Sequence, residues 1–377
     1  MDLDLNSLIP KAEDLETTFL KYQGRVKIFV LSYIFGAHPN IDSLIKVCQK
    51  HSVLFIEDSA EVWAGPGQFL GSNESDVVLF SFGTIKTTTS LGGAIGRFNK
   101  SADLHEKVNQ IIRSYPIRSN SVDARRFAKY AVLNPVTQSD RAFGTLLHTL
   151  KRLNQPYDQM IRTLSRGFSR DMDLFPQLRF QVTVPTLKLM LRQMKEFDYE
   201  KYERRRENGR FLMQELSDAF SSEVLTVPGV SVAFQDKKHE FWLFPICIET
   251  PGANFRTIEE KMMELGFDVT GGTTQLSSLD MIVMDKLDPE FTIPEQANHM
   301  MERILYLPFD DQTNHDTRKR LVKALKKSIS PDDGFYTDEE DSEDLNAAAI
   351  EDELNWVDSD DEEAHHSERS FRRSSKL

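Results

Sequence analysis

Phe55-Ile56-Glu57-Asp58-Ser59-Ala60-Glu61 and, further on, Phe80-Ser81-Phe82-Gly83-Thr84-Ile85-Lys86 are the stretches on which the fold turns. Each starts as the apolar end of a strand and finishes in side chains able to do chemistry. Val53-Leu54-Phe55-Ile56 leads into Asp58, and Val77-Val78-Leu79-Phe80 leads into Ser81, with a polar loop containing Gly65, Pro66 and Gly67 between them. Upstream, Val26-Lys27-Ile28-Phe29-Val30-Leu31 reads as a buried strand. Asn40 can cap a helix over residues 41–50 that places Ile41, Leu44, Ile45 and Cys48 on one face. Downstream, Gly92-Gly93 is the turn into a further strand at residues 94–98. Strands joined through a helical crossover favour a parallel sheet, and the carboxyl edge of such a sheet is where ligands bind. Asp58 and Ser81 both fall on that edge.

Lys86 follows its strand by a few residues and stands among small and hydroxyl side chains, so it can reach a carbonyl at the same edge. An amine attacks a carbonyl only after losing its proton, which burial or a neighbouring cation promotes. Each residue also has a plain structural reading, because a strand-end Asp often caps a helix and a loop Lys is ordinarily solvated. Order, separation and context together favour the chemical one.

Asp58-Ser59-Ala60-Glu61, then Ser81-Phe82, Lys86 and Gly92-Gly93, resemble the DegT/StrS family of sugar aminotransferases that depend on pyridoxal 5'-phosphate (PLP). The likeness runs from about Leu3 to Ile329, with Gly36, Phe244-Pro245 and Leu307-Pro308 as weaker matches. It implies the aspartate-aminotransferase fold, in which Lys86 is the Schiff-base lysine and Asp58 partners the cofactor's pyridine nitrogen. It also implies that Ser81 contacts the cofactor phosphate and that Glu61 lies near the phenolic oxygen, where the family commonly has Gln. Arg179 would serve as a phosphate ligand, since Arg179-Phe180-Gln181 stands where the family tends to have Asn-Tyr-Arg. Leu91 replaces a Glu before the Gly-Gly pair, and the family's pattern continues upstream of Met1.

The expected fold class is therefore α/β, a mostly parallel sheet with helices on both faces (fold type I, incomplete at its N-terminus) plus a smaller α+β domain. Residues 1–195 form the PLP-binding domain and residues 196–330 the smaller one. Within the latter, residues 240–248 read as a strand, and residues 257–265 and 318–329 as helices. Before them a helical pattern begins at Thr186, with Leu187, Leu189, Met190, Leu191 and Met194 leading into the charged run 201–207. There Arg204-Arg205-Arg206, interspersed with Glu, reads as a solvated face rather than a phosphate site.

Charge is unevenly distributed. Residues 331–377 hold 17 acidic and 4 basic side chains and account for the whole net charge of −13, so the body is neutral. A neutral body offers no electrostatic reason to expect nucleic acid or an anionic membrane as partner. The acidic tail reads as disordered and solubilising, with residues 345–357 around Trp356 able to dock on a protein partner as a transient helix. Ser342 and Ser359 precede acidic residues, as substrates of acidophilic kinases do. Cys48 and Cys247 sit in apolar stretches and read as core thiols. With neither a basic-then-apolar leader nor an apolar run long enough to span a bilayer, the expectation is a soluble cytoplasmic protein.

The functional expectation is a transaminase moving an amino group from a donor such as glutamate to a keto sugar, carried on a nucleotide, in a homodimer. A catalytically weakened PLP-fold scaffold with a partner-binding acidic tail is the alternative. Another PLP reaction such as dehydration is a third.

Overall fold

The computed structural model describes residues 1–137, 175, 178–236, 238–271, 276, 278 and 293–329. Residues 1–329 form one compact unit. The tail readings, including residues 345–357, Ser342 and Ser359, lie outside the described residues.

The first half alternates as the hydrophobic pattern dictates: α1 (Ala12–Lys21), β1 (Ile28–Ser32), α2 (Asp42–Lys50), β2 (Leu54–Asp58), β3 (Val77–Ser81) and β4 (Ala94–Phe98), then α3 (Ala102–Ser114) and α4 (Asn120–Thr137). The sheet order is β1-β2-β3-β4. The first three strands are parallel, in register at Ser32↔Asp58 and Asp58↔Leu79. β4 is antiparallel to β3, pairing Ser81 with Ala94, because the loop between them is a tight return rather than a crossover. Asn40 Oδ1 accepts a hydrogen bond from Asp42 N (2.8 Å), which starts α2 one residue later than the sequence suggests. The expected face of α2 holds: Ile41, Leu44, Ile45 and Cys48 are buried against Phe29, Leu31 and Phe55, with Leu15 and Phe19 of α1.

In-register parallel strands put alternate side chains on opposite faces. One face carries Phe29, Leu31, Phe55, Val78 and Phe80 and is covered by α1, α2 and Met190 of α5 (Val184–Lys195). The other carries Ser32, Asp58 and Ser81 along the carboxyl edge. Behind them lie Ile28, Val30, Leu54 and Leu79, which are exposed. The β1 run, expected to be a buried strand, is thus buried on one face only. Glu57, next to Asp58 but on the covered face, is fully buried and accepts hydrogen bonds from Tyr33 Oη (2.7 Å), Ser72 N (2.8 Å) and Ser75 Oγ. That satisfied carboxylate is part of the core.

The second half builds α6 (Tyr199–Ala219), β5 (Leu225–Thr226), a π-helical turn at Val232–Asp236, β6 (Phe244–Ile248), α7 (Phe255–Glu264), α8 (Glu295–Arg303), β7 (Ile304–Leu307) and α9 (His315–Ile329). The antiparallel sheet β5-β6-β7 buries every residue of β6. Phe244, Ile246 and Ile248 pack with α6, α7 and α9, while Cys247 joins Leu8, Phe35 and Tyr306 on the opposite side. Both cysteines are free and buried. Burial pushes each thiol up to about 12, so both stay protonated, as core thiols should.

Two sequence readings need correction. The strand placed at residues 240–248 begins only at Phe244, because the preceding residues pair with the loop after β1. Ala37 bridges His239, Glu240 N donates to Gly36 O (2.7 Å), and His38 N donates to Lys238 O (2.9 Å). The arginine cluster is a solvated face only at Arg204. On α6 the buried positions Tyr202, Gly209, Leu212, Met213 and Leu216 follow helical spacing, and Arg205 and Arg206 fall on that inward stripe. Arg205 donates to Phe241 O (2.8 Å) and Trp242 O (3.0 Å). Arg206 grips Glu240 through Nε (2.9 Å) and Nη2 (3.1 Å). His38 Nε2 lies 3.2 Å from the same carboxylate.

His239 in this junction is buried, with Nδ1 accepting from Phe241 N (2.9 Å) and Nε2 left without a partner among the described residues. Burial, with a smaller push from His38, pulls its ring down to about 3, so it stays neutral when folded. An unfolded histidine gains a proton below about 6.5. The stability from this group is therefore present above that value and lost as pH falls toward 3. Unfolding free energy measured by urea should drop by about 1.4 kcal/mol per pH unit below pH 6.5 through this residue. His239→Asn, which keeps an acceptor near Nδ1, should flatten that slope.

Candidate active site

Three segments converge at the carboxyl edge. β2 ends in Asp58, whose Oδ1 accepts from Ala60 N (3.1 Å) and whose Oδ2 accepts from Ser32 Oγ (3.2 Å) on the neighbouring strand. With Val62 N donating to Ser59 O (3.3 Å), the chain turns back directly after the strand. The turn brings Glu61 to the loop after β1, where Phe35 N donates to Glu61 Oε2 (2.9 Å).

The loop between β3 and β4 is closed at its base. Phe82 N donates to Gly93 O, and both Ser90 N and Gly92 N donate to Phe82 O, each at 3.0 Å. Gly92 and Gly93 take φ values of +149° and +85°, which side chains rarely adopt, so the glycine pair makes the return possible. Phe82 is fully buried against Trp63, and Thr88 Oγ1 lies 2.7 Å from Tyr202 Oη of α6. Between these anchors Ile85 faces outward, while Lys86 turns inward with only 13% of its side chain exposed. Its Nζ lies 3.5 Å from Glu61 Oε1 and 4.1 Å from the centre of the Trp242 ring.

Glu61 is the perturbed group. Burial pushes its carboxyl up to about 7, against the opposing pull of Lys86 and of the Phe35 N–H, while the charge of Asp58 pushes it further up. A carboxyl titrating near neutrality beside an amine is suited to moving protons.

Of the residues singled out in the sequence, Lys86 and Glu61 are in direct contact, Asp58 acts on Glu61 through its charge, and Ser81 ends the next strand on the same face. Ser81 Oγ accepts from Gly83 N (3.3 Å). Arg179 stands apart. It is exposed, its guanidinium lies 4.6 Å above the Phe175 ring, and among the described residues it makes no hydrogen bond or ion pair with the other four. Trp242 and the Phe35 N–H are the parts that sequence reasoning missed. Neither carries a local signal, since both reach Lys86 and Glu61 only through the pairing of residues 35–38 with residues 238–243.

Similar structures share this architecture. The sugar aminotransferase CalS13 from Micromonospora echinospora aligns with a TM-score of 0.56 at 18% identity, over 87% of this chain and 73% of that one. The Helicobacter pylori aminotransferase PseC, involved in the biosynthesis of pseudoaminic acid, aligns at 0.52 and 16% identity, over 83% and 70%. The E. coli GDP-4-keto-6-deoxy-D-mannose-3-dehydratase with bound hydrated PLP aligns at 0.51 and 13% identity, over 86% and 73%. At such identities the likeness establishes the fold. No curated protein matches the sequence. No described helix is long and apolar enough to cross a membrane. Residues 1–132, which contain Asp58, Glu61, Ser81 and Lys86, match the model of the DegT/DnrJ/EryC1/StrS aminotransferase family.

Proposed function

We propose that this chain is a PLP-dependent aminotransferase that takes an amino group from an amino acid such as glutamate and delivers it to a keto sugar, carried on a nucleotide. The observation that carries the reading is the inward-turned Lys86 amine at the carboxyl edge, beside Glu61 and the strand-end Asp58.

The side chains suit the cofactor. Each oxygen of Asp58 accepts one hydrogen bond and retains a further lone pair for a protonated ring nitrogen. Ser81 Oγ accepts from Gly83 N and keeps its hydrogen for a phosphate oxygen. Next to Asp58, the buried Ser59 Oγ has no partner among the described residues. Bound here, PLP supplies an aldehyde that takes up amino groups and a ring that accepts electrons. Lys86 would hold the cofactor by its amine and would be the group that carries a proton at the reacting carbon. Asp58 keeps the ring nitrogen protonated. Glu61 lies toward the phenolic oxygen, and Ser81 binds the phosphate. Arg179 is assigned to the phosphate by family resemblance alone. The reading extends to a large domain of residues 1–195, a small one of residues 196–330, a homodimer working in the cytoplasm, and an acidic tail that meets a protein partner.

Purified protein mixed with PLP should turn yellow, and glutamate should then bleach the colour while releasing one 2-oxoglutarate per chain. A coloured protein that glutamate leaves unchanged would exclude transamination from that donor. A colourless mixture would favour a scaffold.

A further inference from the structure

Family resemblance puts Glu61 beside the cofactor oxygen, but its nearest charged neighbour here is the reactive amine itself. Glu61 Oε1 lies 3.5 Å from Lys86 Nζ, and Phe35 N pins the other carboxylate oxygen at 2.9 Å, so the carboxylate is held facing the lysine. The two side chains are 22% and 13% exposed, and the Trp242 face closes over Nζ at 4.1 Å. We infer that Glu61 and Lys86 share one proton, which the Lys86 ammonium passes across this contact to Glu61, leaving a neutral amine to attack a carbonyl.

The step balances within the pair: the N–H bond of Nζ breaks, an O–H bond forms on Oε1, and ammonium plus carboxylate becomes amine plus carboxylic acid. The net charge of the pair stays zero. Burial favours the uncharged form, because neither partner then needs hydration. The Trp242 ring favours the ammonium. The two influences oppose each other, and at Glu61 burial raises the carboxyl while Lys86 pulls it back.

Other charged groups around the pair are committed elsewhere or act at a distance. Asp58 accepts from Ser32 and Ala60 and reaches Glu61 only through its field. On α6, Arg205 is bonded to the carbonyls of Phe241 and Trp242, and Tyr202 faces Thr88. In the segment bearing Trp242, Glu240 is engaged by Arg206 and His38, and His239 is neutral.

The consequence can be measured without cofactor. An amine that must lose its proton to water reacts about tenfold faster per pH unit while mostly protonated. An amine that hands its proton to a neighbour keeps a constant neutral fraction as long as the pair holds one proton. Trace labelling of the cofactor-free protein with acetic anhydride, read at Lys86 by peptide mass spectrometry, separates these cases. From about pH 7 to pH 9 the Lys86 rate in the native protein should change by less than about threefold, against roughly a hundredfold in Glu61→Gln. A native profile that climbs tenfold per unit overturns the inference and leaves a static ion pair. The native profile decides the matter even if Glu61→Gln misfolds, and the exposed lysines serve as internal controls.

The catalytic use of the shared proton rests on the proposed role of Lys86, but the sharing does not. A flat profile with no reaction toward PLP and glutamate would remove the functional reading and keep the proton pair. A steep profile with a working half-reaction would do the reverse.

Discussion

Asp58→Asn is expected to leave the protein folded and able to take up PLP, yet slow its conversion by glutamate by about a thousandfold. Removing one partner of a buried charge pair costs about 3–5 kcal/mol, which as a barrier change corresponds to two to four powers of ten. The asparagine preserves the structural work of Asp58, because its oxygen can still accept from Ala60 N or Ser32 Oγ. Only the charge that would keep the ring nitrogen protonated is lost. Stopped-flow absorbance after glutamate addition measures the rate, and circular dichroism verifies the fold. A variant that converts within tenfold of the native rate would show that Asp58 is a turn-former with no part in the chemistry.

Gly36→Ala is expected to destabilise the protein by on the order of 4 kcal/mol, through strain that the surroundings cannot relieve. Gly36 has φ +95°, and an added Cβ would lie 2.7 Å from Trp242 N and 2.8 Å from Phe241 N. Those are backbone atoms, and Arg205 fixes the carbonyls of the same two residues from behind. Any adjustment therefore pries Trp242 away from Lys86 and Phe35 N away from Glu61. Gly252→Ala is the control: its φ is +74° but no atom lies within 4 Å of the added Cβ, so only the backbone term of about 1 kcal/mol should appear. Urea unfolding of the two variants reads the difference, and equal losses would mean that the close approach at Gly36 carries no weight.

What was legible in the sequence follows from the range of the interactions. β1, α2, β2 and β3 are set by local apolar patterning, and Asp58, Ser81 and Lys86 could be placed because they follow strands whose carboxyl ends share an edge. The closed loop bearing Lys86 was readable at Gly92-Gly93, where only glycine tolerates the backbone. The environment of Lys86 was not readable. Trp242 lies far along the chain, and residues 240–243 look like a strand start until the pairing with the loop after β1 claims them. Arg205 and Arg206 were misread because charge was weighed above helical position. Their guanidinium groups are satisfied by carbonyls and a carboxylate from the same distant segment, and sequence spacing cannot reveal such partners.

In the proposed function, the Lys86 amine captures the cofactor at the edge shared with Asp58. Borohydride added to the protein with PLP, followed by digestion and mass mapping, tests it directly. One phosphopyridoxyl group per chain, on Lys86, is the expected result. A group fixed on any other lysine, or none fixed at all, would contradict it.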